Sequence, residues 1–318
     1  MRVDLYKALL RTRLTEQTLA DRYKEQEMRT PTHFGIGQEA VAVGVCAALE
    51  QDDVIYSHHR SHNHYLAKGG SVYELAAELF GRETGCSRGR GGSVHLTSRN
   101  CGFIASSAIL GQTAAAAVGS ALTFKMDGLD RVSGAFFGDA VLEEGIFYES
   151  LNYACVNKLP ALLVCENNGF ATESPLSVRQ PEGVDFCERV RAFGVKAIYV
   201  DGNDVEAVFL AAQKAVKFIR EGLGPIFLEC KTYRWCEHVG PYSDHEMDRT
   251  YRTKEDVDKW IDKCPLKLSQ QGLLNDGLVT SHQIDKWKVE IQNSINEDVA
   301  RAYLDPWPEP STLFNNAS

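Results

Sequence analysis

Val132-Ser133-Gly134-Ala135-Phe136-Phe137-Gly138-Asp139-Ala140, followed after residues 141–166 by Asn167-Asn168, is the stretch that decides how this chain folds. One apolar run ends in Gly138-Asp139-Ala140, and a second, Leu159 to Cys165, leads into Asn167-Asn168. The interval has the length of one helix plus one strand, the crossover that parallel neighbours require. Open parallel sheets bind ligands at the carboxyl ends of their strands, so the spacing brings Asp139 and Asn168 together at such an edge. A carboxylate and a neutral carbonyl oxygen are hard donors suited to Mg²⁺, which completes an octahedron with phosphate and water oxygens. The pair therefore reads as a magnesium diphosphate anchor. Taken singly, Asp139 would be only a helix cap and Asn168 only a turn former beside Gly169.

Outward from this core, apolar runs at 131–137, 161–166, 195–200 and 225–231 alternate with helical patterns at 142–157 and 204–220. In the last helix Val205, Val208, Phe209, Ala212, Val216 and Ile219 share one face. Val54 to Ser57 adds a short strand. Helices are expected over 2–28, over 38–50 and, alanine-rich, over Gly111 to Lys125, and Ser71 with Glu74 reads as a capping box for a helix through Phe80. The alternation predicts an α/β fold, a parallel sheet with helices on both faces. After Tyr233 the pattern breaks into a polar loop, 236–250, helices near 254–271 and 281–303, and a proline-containing extended tail, 305–318. We expect an α/β domain over 1–253 and a helical C-terminal appendage over 254–318.

With 318 residues the chain can bury one large core or two modest ones. A net charge of −9 argues against a nucleic-acid-binding face. No run of eighteen apolar residues occurs, so no membrane span is expected, and Met1-Arg2-Val3-Asp4 does not read as a signal peptide. The nine cysteines lack a CxxC pair, and Cys46, Cys155, Cys165 and Cys230 lie in apolar runs. Reduced thiols in a cytoplasmic protein are the expectation. Cys230, Cys236 and His238 do not complete a zinc set, and the spacing of His58, His59, His62 and His64 fits no familiar metal site.

Arg60 follows Ser57-His58-His59 directly after a strand, so its planar fork can meet phosphate oxygens at the same edge. His33, four residues before Gly37-Gln38-Glu39-Ala40, and His238, in the polar loop, titrate near neutrality and can stabilise or protonate an alkoxide. The bland alternative for each is a solvent-exposed loop residue. Glu39 is read as a structural residue at a helix start. The glycine-rich stretch Gly85 to Gly92 lacks the Lys-Ser/Thr ending of a nucleotide loop and is expected to lie flexibly near a ligand or a partner chain.

In these motifs the chain resembles the alpha subunit of the decarboxylating component of 2-oxo acid dehydrogenases of the pyruvate, acetoin and branched-chain types. The likeness rests on the Asp139/Asn168 motif, with Ala140 where the family has glycine, and on His33 with Gly37 to Ala40 and Arg60 with His62. It continues through Gly85 to His95, Ala108-Ile109-Leu110-Gly111, Lys158-Leu159-Pro160, Thr232-Tyr233-Arg234 and Tyr251-Arg252-Thr253. The resemblance implies thiamine diphosphate and Mg²⁺ as cofactors, with the Phe170 carbonyl as a third metal ligand. It places His59, in the position of a family tyrosine, and Arg60 on the diphosphate. Gly138 and Ala140 would flank that group, and the backbone of Ala108 to Leu110 would meet the aminopyrimidine. His33, His62 and His238 would be active-site histidines, His33 stabilising the intermediate and His238 contacting substrate or acyl acceptor.

A beta subunit would supply the glutamate that activates the ring, in an alpha-two beta-two heterotetramer. A 2-oxo acid would be the substrate and a lipoyl-bearing acyltransferase a further partner. Val239 stands where some relatives carry a phosphorylated serine, so that switch is expected to be absent. The loop Cys236-Glu237-His238-Val239-Gly240-Pro241 departs from the His-Gly-His-Ser pattern and leaves the acceptor open. The rival readings are a carbon–carbon ligating acyl transferase acting on a sugar, the diphosphate half of a split transketolase-like enzyme, and a non-catalytic cofactor-binding partner.

Overall fold

All seven residues of Ala161–Asn167 are buried, which a strand achieves only when both faces of its sheet are covered. In the structure, a computed structural model describing residues 1–312 and Phe314, this is the fourth strand of a six-stranded parallel sheet. The strands are β1 (Val54–Ser57), β2 (Phe103–Ser106), β3 (Ser133–Gly138), β4 (Ala161–Asn167) and, after a small hairpin of β5 (Phe170–Ala171) and β6 (Ser174–Pro175), β7 (Lys196–Asp201) and β8 (Ile226–Lys231). Their order is β2-β1-β3-β4-β8-β7. The helices are α1 (Arg2–Tyr23), α2 (Glu39–Ala48), α3 (His62–Ala67), α4 (Val72–Leu79), α5 (Gln112–Met126), α6 (Gly145–Val156), α7 (Leu176–Arg179), α8 (Phe186–Arg191), α9 (Val205–Arg220), α10 (Lys254–Asp262), α11 (Pro265–Asn275) and α12 (Ser281–Leu304).

Side chains alternate across a strand, and the core divides accordingly. Phe136, Leu162, Val164 and Leu228 pack with residues of α1, α2 and α9. Ala135, Phe137, Leu163, Cys165 and Phe227 pack with residues of α5, α6 and α8 on the opposite face. The C-terminal helices join the first layer, where Ile284, Ile295 and Val299 share a core with Leu10 and Leu14 of α1. No helix among the described residues is long and apolar enough to cross a membrane.

Several boundaries differ from the sequence reading. α1 stops at Tyr23, and the helix expected from 142 begins at Gly145, after a 3₁₀ turn over Asp139–Glu143. The expected helix at 254–271 is two helices, because Pro265 cannot donate an N–H and instead starts the second. β2 and α3 were not foreseen. The Ser71 hydroxyl accepts from the Glu74 N–H, but the Glu74 carboxylate accepts from Tyr65 rather than closing the box. In the tail, Pro310–Thr312 forms a 3₁₀ turn, while Leu313 and 315–318 lie outside the described residues.

The glycine-rich loop is not a free anion cradle. Its N–H groups converge on the buried Glu78 carboxylate of α4, from Ser87 at 2.8 Å, Gly89 at 2.9 Å, Gly91 at 2.7 Å and Gly92 at 3.0 Å. A Cβ at Gly85 would lie 2.4 Å from Glu78 Oε2, so glycine there is steric necessity.

Candidate active site

The strand ends do converge. β1 runs into His58-His59-Arg60, β3 into Asp139, β4 into Asn168, and β8 into the segment bearing Arg234 and His238. Between them lies a cavity of about 240 Å³. It is lined by the predicted metal and diphosphate residues Gly138, Asp139, Ala140, Asn168, Phe170, His59 and Arg60. Ala108, Leu110, His33 and His238 line it too. A larger cleft of about 600 Å³, between the glycine-rich loop and Trp307, holds none of these residues.

At the metal end, Asp139 is 1% exposed. Its Oδ2 accepts from Arg179 Nη2, whereas Oδ1 is buried with no hydrogen-bond partner. Burial pushes the Asp139 carboxyl up, and Arg179 opposes that shift. Asn168 Oδ1 accepts from the Phe170 N–H at 3.0 Å, a local turn that fixes the amide oxygen and leaves it a second lone pair. A buried orphan carboxylate oxygen calls for a missing ion, and this oxygen set suits a hard divalent cation. The residues therefore fit Mg²⁺. Ala140 lies in the 3₁₀ turn with negative φ, so the methyl that departs from the family pattern is tolerated.

Arg60, 4% exposed, donates through Nη1 to Phe34 O at 2.6 Å and through Nη2 to His238 O at 3.2 Å. It thereby ties together the two segments that carry His33 and His238, with its remaining N–H groups free for an anion. Burial, reinforced by Arg234, pushes its guanidinium down to about 9. The rings of His33 and His59 are 4.6 Å apart between centroids, and His33 and His238 5.0 Å. Burial first, then Arg60, pushes His33 down to about 2 and His238 to about 3. Burial and His58 push His59 down as well. All three imidazoles are thus neutral at physiological pH.

Residues 6–311 match the family model described as Dehydrogenase E1 component. The chain belongs to that family. It is 34% identical over 314 residues to the alpha subunit of an acetoin:2,6-dichlorophenolindophenol oxidoreductase of Bacillus subtilis (strain 168), covering 98% of this chain and 92% of the relative. It is 35% identical to a pyruvate dehydrogenase E1 component subunit alpha of Rhizobium meliloti (strain 1021), covering 98% and 88%, and 34% identical to the same subunit of Porphyra purpurea, covering 97% and 90%. Dehydrogenase E1 components are thiamine-diphosphate-dependent enzymes that decarboxylate 2-oxo acids, and this chain is of their alpha-subunit kind.

Among the residues assigned to the site from sequence, only His62 of this E1 chain lies outside the cavity lining. His62 is fully buried, with Nδ1 against Glu16 at 2.6 Å and Nε2 against Ser93 at 2.9 Å. Glu39, read as structural, pairs with the buried Arg13 of α1. Two residues that brace the site were given no role from sequence. Arg179 holds both Asp139 and Glu143. Glu166 braces the turn that presents His59 and Arg60: His58 Nδ1 accepts from the Arg60 N–H at 3.1 Å, so its Nε2 carries the proton and donates to Glu166 at 2.7 Å. Burial would raise the Glu166 carboxyl, but His64, at 3.3 Å, and His58 hold it down at about 2. The polar loop is anchored by Arg234, which donates to Cys236 O at 2.6 Å and Thr172 O at 2.9 Å, and by Arg252, which donates to Asp244 and Cys236 O.

Proposed function

We propose that this chain is the diphosphate-holding half of an enzyme that decarboxylates a small 2-oxo acid and passes the acyl unit to a lipoyl group on an acyltransferase. The observation that carries the reading is one cavity joining the orphan Asp139 Oδ1, the fixed Asn168 amide oxygen, Arg60 and two neutral histidines. Mg²⁺ would be held by Asp139, Asn168 and the Phe170 carbonyl. The diphosphate would meet Arg60, His59, Gly138 and Ala140, and the aminopyrimidine the backbone of Ala108 and Leu110. When bound, thiamine diphosphate supplies the carbon nucleophile and electron sink that decarboxylation needs. Because His33 and His238 are neutral, they act as N–H donors toward oxygen charge developing on the substrate rather than as imidazolium acids. His62 serves from behind, fixing the start of α3.

A beta subunit completes the site and supplies the activating glutamate, in an alpha-two beta-two assembly. Its docking is supported by Ile109 and Leu110, which line the cavity yet are 64% and 40% exposed. The nine free cysteines suit a reducing, cytoplasmic setting. Residues 1–253 carry the site, and the C-terminal helices α10 to α12 brace it. The test is calorimetric titration of thiamine diphosphate with Mg²⁺, with and without the co-expressed partner, followed by carbon dioxide release from a panel of 2-oxo acids. Binding and release that require the partner are expected. No binding under either condition would discard the reading, and release-free transfer from a ketose would favour the transketolase-like alternative.

A further inference from the structure

We propose that His33, His59 and His238 together bind a borderline transition-metal cation such as Zn²⁺, at a position separate from the oxygen set of Asp139 and Asn168. The three residues offer ring nitrogens that all lie within 4.8 Å of one another, and the third centroid pair, His59 to His238, is 5.5 Å apart. All three line the same cavity. Zinc takes imidazole nitrogen at about 2.0–2.1 Å, and three protein ligands leave its fourth tetrahedral position open. Nitrogens sharing one such ion sit about 3.4 Å apart on that geometry, so the rings must swing inward slightly. They are free to do so, because among the described hydrogen bonds none pins any of the three rings. His33 Nδ1 is buried with no partner and gains most from a ligand.

Donor chemistry sorts the two ions. Imidazole suits zinc, copper and nickel, whereas carboxylate and carbonyl oxygens suit magnesium. His59 makes the difference: with the tyrosine that the family resemblance places there, two histidines would face each other across the cavity and no nitrogen triad would exist. A dedicated zinc centre usually braces each ligating ring through its second nitrogen, and that bracing is missing here. The site therefore captures a cation loosely and blocks the space in which His33 and His238 meet the substrate.

The test uses the co-purified complex of this chain with its partner, stripped by chelator, with Co²⁺ as the probe because its visible absorption reports tetrahedral nitrogen ligation. Co²⁺ is expected to develop these bands and Zn²⁺ to bleach them. His59→Tyr is expected to weaken the binding about tenfold or more, and His238→Gln, on a different segment, to do the same. Asp139→Asn is expected to leave the bands intact. Circular dichroism melts of each variant check that the fold survives. Bands lost in Asp139→Asn but kept in His59→Tyr, or no bands in the unaltered complex, would overturn the proposal. Neither outcome depends on turnover or on which substrate the enzyme takes.

Discussion

The two oxygens of Asp139 are treated differently: Arg179 holds one, and the other is buried and unpartnered. A carboxylate divided in this way is preset for single-oxygen coordination in a tight octahedral shell. Asp139→Ala is expected to abolish Mg²⁺-dependent binding of thiamine diphosphate in calorimetry. Arg179→Met is expected to raise the Mg²⁺ needed for half-saturation by about 10- to 100-fold, the usual effect of losing a group that orients a ligating side chain. His238→Ala is expected to spare cofactor binding and lower turnover; lost binding with unchanged turnover per bound site would reassign the residue. Asp139 and Asn168 were legible because a strand–helix–strand interval converts a sequence spacing into a meeting point. Arg179 was not, since it reaches Asp139 from α7, whose four residues are too few to show a helical period. His62 is the reverse case, a visible motif residue whose ring turns to Glu16 and Ser93.

At the scale of elements, α4 and the glycine-rich loop form one unit through Glu78. Glu78→Ala would strand four N–H donors around a buried site, and the stability lost is expected to be on the order of 3 kcal/mol, measurable as a lowered denaturant midpoint. The glycines themselves were plain in the sequence. What they wrap was not, because the acceptor lies upstream on a helix and internal and external anions leave the same glycine signature. The core strands β3, β4 and β8 were readable because both faces are buried and the apolar runs are unbroken. β2, a four-residue strand at the edge of the sheet, was missed although β1 of the same length was read. The break between α10 and α11 was written in Pro265 but masked by a helical pattern on both sides.

For the molecule as a whole, acid is the revealing stress. The Glu166 carboxyl sits at about 2 against an ordinary 4.5, so its contribution to stability is fully present above the unfolded value and is lost as the pH falls toward the folded one. Unfolding midpoints are expected to drop from about pH 6.5 downward, where histidines of the unfolded chain take up protons that buried His33, His59 and His238 do not. Glu166 adds its share below about 4.5, and Glu166→Gln is expected to remove that share, as denaturant titrations across pH would record. The sheet, its helical layers and the family were legible in the chain. The wiring behind the cavity was not, because buried pairs such as His58 with Glu166 follow no sequence rule. One such link reaches further. The Arg60 guanidinium grips the carbonyls of Phe34 and His238 at once, so two largely buried segments remote in the chain are tied to each other. Whatever settles one lowers the entropy cost of settling the other. Hydrogen exchange across 236–250 would then act as the protein's own gauge of occupancy, with no catalysis needed to read it.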